Sequence, residues 1–462
     1  MMPRPDRLPG KRSAVKQLPI RKHNRSLFRA ANCAKNPDNV KRIAMRSAPS
    51  KINQKPLFDL DEGKQSPDNT LCFIHTADWQ LGKPYARVRD DEKRSQLSQQ
   101  RLQAIYRLRN YIAENKAQFV LVAGDLFDTQ TPKKQLVSAT CKAIGDLQVP
   151  VFAIPGNHDY YGVESIWEQE FFKQEQQQLA PNFQLITTPH PIEAPGAWLF
   201  PAPLLRRHAS LDPTHWLRAF SYDNFLTQHP DADSLPWIVL AHGTIQGFES
   251  NLDDEESDST TANLIDLDRL PKCFDYIALG DWHGMKQVND LAWYSGTHEP
   301  DRFPKNNDYR SGFSLLVKSG RKQPPRVEPI PTGELKWHSV DFHFHTDESL
   351  ASLEELIQKY TAGRVGSDLL RLELTGSLGL SAAQRLESLL ETWESRFLRI
   401  KNYSHIQIAP TEEELLSLTQ RTDPLVARVA QRLNELRMSN SEQASIANVA
   451  LRQLFQLCQA VN

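Results

Sequence analysis

The chain has no apolar run approaching the ~20 residues that span a bilayer. Its first residues also lack the apolar core of a secretory signal. The expectation is a cytoplasmic protein with no membrane attachment. Cysteine is sparse: Cys33, Cys72, Cys141, Cys273 and Cys458 are scattered, odd in number and without a C-x-x-C pair. That argues against a disulfide framework or a zinc knuckle and suits a reducing compartment. No internal repeat or low-complexity block is present. Net charge is nearly absent at −1, but its distribution is uneven. Residues 1–56 hold 15 Lys and Arg against two acids, Asp6 and Asp38, a net +13 that leaves the rest strongly acidic. A basic arm on an acidic body can mean contact with nucleic acid. The same composition fits a disordered tail over 1–68, an upstream stretch read from a misassigned start with Met45 as the later one, or an organellar presequence.

What is there suffices for a sizeable core. At 462 residues, with 39% hydrophobic and 24% charged residues, two or three soluble domains are expected. From residue 69 short β-type runs recur: "LCFIHTA" (71–77), "FVLVAG" (119–124), "VPVFAIPG" (149–156), "PWIVLAHG" (236–243) and "YIALGDWH" (276–283). Helical periodicity fills the gaps, about 91–116 with Leu102, Ile105, Leu108 and Ile112 on one face, and about 133–147 with Val137, Cys141 and Ile144 aligned. This is the β-α-β-α-β order of an α/β sandwich flanked by helices. A proline-rich stretch at 321–334 marks a boundary. Beyond it, strand, helix, strand, helix and strand suggest a small α+β cap, and about 411–458 is helical. The expected division is 1–68 arm, 69–335 catalytic domain, 336–410 cap and 411–462 helical segment. In that last segment Leu425, Val429, Leu433 and Leu436 form one apolar stripe and Ile446, Val449, Leu454 and Leu457 another. The acidic "DDEESD" (253–258) is expected to be a solvated loop.

Polar residues sit at the strand ends. Asp78 and Gln80 follow the first strand, Asp125 and Asp128 the second, and Asn157, His158 and Asp159 the third. His242 closes the fourth, and Asp281 and His283 follow the fifth. In α/β sheets ligands gather at the carboxyl ends of strands. Any one of these pieces is weak, but five in this order carry a signal. The order D-x-(Q), GDxxD, GNHD, HG, GDxH resembles the calcineurin-like metallophosphoesterases, whose usual pattern is D-x-H, GDxxD, GNH[DE], H, GHxH. The likeness covers about residues 70–318.

The resemblance implies two divalent ions and hydrolysis of phosphate esters. By motif position Asp125 bridges the ions, Asp78, Gln80 and His283 complete one set of ligands, and Asn157, His242 and Asp281 complete the other. His158 aids the leaving oxygen. Paired ions clamp both ends of an in-line displacement on phosphorus, and an imidazole suits proton donation near neutral pH. Two positions depart from the pattern: Gln80 and Asp281 stand where the family has histidines. Both keep an oxygen donor, and the extra carboxylate moves preference toward Mn2+ or Mg2+ and away from Zn2+.

Asp128 and Asp159 either orient the ligands from behind or cap the following helices. His75, His343 and His345 read as structural histidines, and His298 stays open. "HTADWQLGK", "GDLFDTQTPKKQL" and "WYSGTHEPDRF…SGFSLLVK" are similar to the DNA-repair exonucleases of the SbcD type. In those, a cap narrows the site around DNA and C-terminal helices dock on an SMC-like coiled-coil ATPase. Lys133, Lys134 and Arg302 are candidate DNA contacts, with Arg87, Arg89, Arg206, Arg207, Lys305 and Arg310 in loops that could join them. The C-terminal stripes suit either a partner helix or their own domain, and a homodimer is an alternative assembly. Competing functions are a small-substrate phosphatase or phosphodiesterase, and a scaffold whose metal site has degenerated.

Overall fold

Strand after strand alternates between two hydrophobic interiors, which fixes the layering of the catalytic part. A computed structural model describes residues 70–245, 263–304, 309–439 and 443–460. The basic arm over 1–68, the acidic stretch 253–258 and Lys305 lie outside the described residues. The chain begins with β1 (Leu71–Thr76), α1 (Asp91–Asn115), β2 (Val120–Val122), α2 (Lys134–Gly145), β3 (Val151–Ala153), α3 (Glu170–Leu179) and β4 (Phe183–Leu185). These four strands run parallel. Next come β5 (Ile192–Ala194), β6 (Ala197–Ala202), α4 (Trp216–Ala219), α5 (Tyr222–Gln228) and β7 (Trp237–His242). A short parallel pair, β8 (Thr244–Ile245) and β9 (Leu264–Ile265), precedes β10 (Tyr276–Gly280), β11 (Lys286–Gln287) and β12 (Ala292–Tyr294). Finally β13 (Phe313–Ser319) and β14 (Arg326–Pro331) return to the edge of the first sheet.

The result is two six-stranded sheets, ordered β14-β13-β1-β2-β3-β4 and β11-β12-β10-β7-β6-β5. Along β1, Leu71 and Phe73 enter the layer between the sheets with Phe119, Leu121, Leu240 and Tyr276. Cys72 and Ile74, one residue out of phase, face Ile105, Leu108, Val137 and Ile144 on the covering helices, as the period of two in a strand requires. Aromatic packing of Phe200, Phe225 and Trp237 seals the outer face of the second sheet. The structure is therefore the helix-flanked α/β sandwich expected from the apolar runs.

The remaining elements are β15 (Trp337–Phe344), α6 (Ser349–Thr361), β16 (Leu369–Leu378), α7 (Leu380–Arg396) and β17 (Arg399–Ile408). They form a three-stranded parallel sheet in sequence order, with Leu353, Ile357, Leu386 and Trp393 among its buried core. Three helices follow, α8 (Glu412–Thr419), α9 (Pro424–Met438) and α10 (Gln443–Ala460). Thr411 and Glu414 close a reciprocal cap on α8, and Asp423 caps α9. The stripe on α9 differs from the expected one. Its packing face is Val426, Ala430 and Leu433, meeting Leu451, Leu454, Phe455 and Leu418. Leu425, Val429, Ile446, Val449 and Leu457 are exposed. The expected stripe on α9 was drawn about one position out of phase with the real seam. Among the described residues no helix is long and apolar enough to cross a membrane.

Candidate metal centre

Because β1, β2 and β3 are parallel neighbours in one sheet, and β7 and β10 in the other, their carboxyl ends open toward one place. The loops are tied there by their own backbones: Asp78 N–H donates to the Gly124 carbonyl (3.1 Å) and Gln80 N–H to that of Asp125 (2.8 Å). The chain turns sharply enough that Asp78, Gln80, Asp125 and Asp281 all adopt positive φ, at 51°, 39°, 53° and 105°. Non-glycine residues in this region cost on the order of 1–3 kcal/mol each and tend to mark functional sites. Glycine precedes Asp125 and Asn157, where close approach leaves no room for a side chain. A Cβ on Gly124 would lie 2.2 Å from His242 Nδ1, and one on Gly156 would lie 2.1 Å from Asp125 Oδ1.

Among the described residues one group of carboxylate and imidazole donors closes within 4.8 Å: Asp78, Asp125 and His242, all buried. Asn157 and Asp281 join it. His242 Nδ1 donates to the Ala123 carbonyl (2.7 Å), which leaves its Nε2 lone pair facing Asn157 Oδ1 at 2.9 Å. The same Nε2 is 3.7 Å from Asp125 Oδ1 and 3.8 Å from Asp281 Oδ1. With Nε2 unprotonated, acceptors confront acceptors, and a positive charge relieves that arrangement, either a proton on the imidazole or a shared metal cation. The titration behaviour agrees. Burial pushes Asp78 up to about 8, against the pull of His242 and with the Asp125 and Asp281 charges adding to it. Burial opposes a charge on His242, but Asp125, Asp78 and Asp281 outweigh it and lift the imidazole to about 9. Three carboxylates, an imidazole and an amide oxygen are a donor set for a divalent ion.

The other half of the expected set is arranged differently. Gln80 Nε2 meets His283 Nε2 at 3.1 Å, and Gln80 Oε1 accepts from Lys83 Nζ at 3.3 Å. His283 Nδ1 lies 2.7 Å from Asp301 Oδ2, which also accepts from Lys83 at 3.1 Å. Burial holds His283 down at about 4, so the ring is neutral, with its Nδ1 facing both Asp301 and the Arg302 guanidinium. Neither Lys83 nor Asp301 stood out in the sequence as part of the site.

His158 sits at the rim. Its backbone N–H donates to Asp125 Oδ1 (2.9 Å), its Nδ1 to the Asp128 carbonyl (3.0 Å), and its Nε2 lies 3.9 Å from Asp125 Oδ2. The Asp125 charge raises its pKa against the effect of burial. Asp128 acts on His158 through its backbone carbonyl and through its charge, both of which raise the imidazole's pKa. Asp159 instead accepts from the backbone of Leu126, Phe127 and Gly156 (2.8, 3.0 and 2.8 Å) and so shapes the loops that carry Asp125 and Asn157. His75 is a core histidine, bonded to Tyr276 Oη and the Leu279 carbonyl. His298 is buried as well and bonds the Arg101 carbonyl. Lys133 is exposed before α2, whereas Lys134 stacks on Phe171. Arg302 bonds Asp301 and lies 2.7 Å from His283 Nδ1, which puts it within the site. Arg206 and Arg207 are exposed beside Leu204, which is tied to Pro155 and Tyr161.

A model of the calcineurin-like phosphoesterase family matches residues 72–301, the stretch that contributes every donor above. Through this domain the chain belongs to the calcineurin-like phosphoesterases. The phosphoesterase domain makes the protein a metal-dependent hydrolase, and its family uses divalent metals. Over 364 residues the chain is 22% identical to SbcD, a component of the SbcCD nuclease of Staphylococcus epidermidis, covering 75% of this chain and 91% of that protein. It is also similar, at 12% identity and a TM-score of 0.31, to the crystal structure of the Thermus thermophilus protein TT1561, over 57% of this chain and 99% of that one.

Proposed function

We propose that this chain is a phosphodiesterase that cleaves DNA, dependent on a divalent ion, Mn2+ in preference to Zn2+ and with Mg2+ as the alternative. The observation that carries the reading is the convergence of Asp78, Asp125, Asn157, His242 and Asp281 beside a half-buried His158. When bound there, a divalent ion supplies Lewis acidity toward a phosphodiester oxygen and toward water.

The chain's own residues do the rest. With Nδ1 donating to the Asp128 carbonyl, a protonated His158 presents its Nε2–H outward, and Asp125 stabilises the imidazolium. His158 then gives that proton to the departing oxygen of the scissile ester, a role worth roughly 10²–10⁴-fold. Asp159 and Arg101 keep the loops in register for that transfer. Exposed Arg87, Arg89, Arg206 and Arg207, with Lys133, supply cations for a phosphate backbone. A relative named as part of a nuclease supports both the substrate and a partner. We assign catalysis to 69–335, confinement of DNA to 336–410, and docking on an SMC-like coiled-coil ATPase to the exposed Leu425, Ile446 and Leu457 of 411–462.

The test pairs linear DNA with bis-p-nitrophenyl phosphate in Mn2+. Cleavage of both substrates, lost in Asn157→Ala and His158→Ala, is the expected result. Turnover of the small ester alone indicates a phosphatase, and inactivity on both indicates a scaffold.

A further inference from the structure

The two halves of the site differ in what they demand. Around His242 Nε2 the oxygens of Asn157, Asp125 and Asp281 converge on one nitrogen with no cationic side chain among them, a place that a metal cation fits. Around Gln80 cationic groups already stand where a metal would (Lys83 and Arg302). Lys83 donates to Gln80 Oε1 and to Asp301, the Gln80 amide Nε2 meets His283 Nε2, and His283 Nδ1 lies against both Asp301 and the Arg302 guanidinium. The four side chains close a ring held together without a metal, and Arg302 brings a second positive charge against it. The amide orientation follows from chemistry, because an ammonium needs an oxygen acceptor and so fixes Oε1 on its own side. The one atom by which Gln80 could ligate a metal is thereby committed to a cation already present.

We propose that the chain holds a single divalent ion, at Asp78, Asp125, Asn157, His242 and Asp281, and that the Lys83–Gln80–His283–Asp301 ring stands in the place of a second, with the Lys83 ammonium supplying positive charge there. The inference rests on the metal-dependent reading above. Lys83 and Asp301 are well sheltered, with side chains 11% and 0% exposed, so water screens the repulsion between the ammonium and an incoming dication only weakly. One dication together with Lys83 and Arg302 matches the carboxylates of Asp78, Asp125, Asp281 and Asp301 charge for charge. The resemblance to a two-ion family overlooks this because Lys83 lies outside its motifs. The D-x-Q change therefore alters the metal count, which the retention of an oxygen donor at position 80 had concealed.

The test counts metal and needs no turnover. The full chain, freed of metal and equilibrated with Mn2+, is analysed by native mass spectrometry and electron paramagnetic resonance. One equivalent and the spectrum of an isolated Mn2+ are expected. Two equivalents, or an exchange-coupled pair, overturn the proposal. The double variant Gln80→His with Lys83→Met restores a histidine and removes the ammonium, and a second, coupled ion should appear. If that variant, folded by its thermal melt, still takes one ion, the ring is not what excludes the second. If it does not fold, the count on the unaltered chain decides. Failure of the phosphodiesterase reading would show instead as a correct metal count with no hydrolysis of either ester.

Discussion

Arg101 is a charge buried completely inside the protein, on the face of α1 where the sequence suggests only aliphatic packing. Its Nε donates to the Trp79 carbonyl (2.8 Å), and its terminal nitrogens to the carbonyls of Asp78 (3.0 Å) and Glu299 (3.2 Å) and to Thr297 Oγ1 (3.0 Å). One guanidinium thus pins the loop carrying Asp78 and Gln80 to the loop leading into Asp301. Replacing it with methionine leaves those acceptors unpaired in the interior. Arg101→Met should cost about 3–5 kcal/mol in urea unfolding and weaken Mn2+ binding in calorimetry, with Arg101→Lys recovering part of both. Gly156 makes a second case. A methyl there meets both Oδ1 and the backbone nitrogen of Asp125, at 2.1 and 2.5 Å. Gly156→Ala should therefore lower Mn2+ affinity roughly 10–100-fold, the cost of displacing a ligand's support. Five motifs made the candidate ligand residues readable because each is contiguous with a strand. Arg101, Lys83 and Asp301 were not readable, since their partners lie as far as some two hundred residues away in sequence and only the closed sandwich joins them.

Elements were legible to the extent that one face of each is buried. α1 and α2, each with one buried face, begin and end within two residues of their periodic stretches. The C-terminal helices were misphased because two apolar stripes are available on α9, and only tertiary packing selects between them. The selected seam makes a prediction. Leu451→Ala should cost about 2–5 kcal/mol, while Leu425→Ser and Ile446→Ser should change unfolding by no more than about 0.5 kcal/mol. Equal losses would mean that both stripes are buried. The start of β16 supplies another. Asp368 accepts from His338 Nε2 (3.0 Å), Arg364 NH2 (2.6 Å) and the Lys336 backbone (3.4 Å). Burial opposes its charge, but bonds from His338 and Arg364 outweigh that and hold the carboxyl below its ordinary range. A depressed folded value stabilises the protein above the unfolded pKa of ~3.9, and that stability fades as pH falls through the folded value. Acid unfolding of Asp368→Asn should accordingly begin from a lower stability at neutral pH, with a shallower further loss below about pH 4 than the unaltered chain shows.

At the scale of the molecule, the boundary drawn near residue 335 is crossed by a shared hydrophobic cluster. Tyr85, Val88, Leu97 and Phe303 from the phosphoesterase side pack with Leu335, Leu369 and Leu398, and Trp337 joins them. Lys93 on α1 adds bonds to the carbonyls of Glu394 (3.0 Å) and Phe397 (2.8 Å). Tyr85 and Val88 lie just beyond Gln80 and Lys83 in the same loop, so the junction buttresses the site itself. On the proposed function, a cap held this way would position a long substrate without touching the reacting atoms. Leu398→Ala opens the cluster at its far wall. It should cost about 2–4 kcal/mol of stability, lower kcat/KM on linear DNA about tenfold or more through misplacement of the strand, and leave hydrolysis of bis-p-nitrophenyl phosphate near its starting value. The ratio of the two activities is the measurement. A parallel fall in both would mean that the junction supports the metal loops alone and that the three-stranded sheet has no part in guiding DNA.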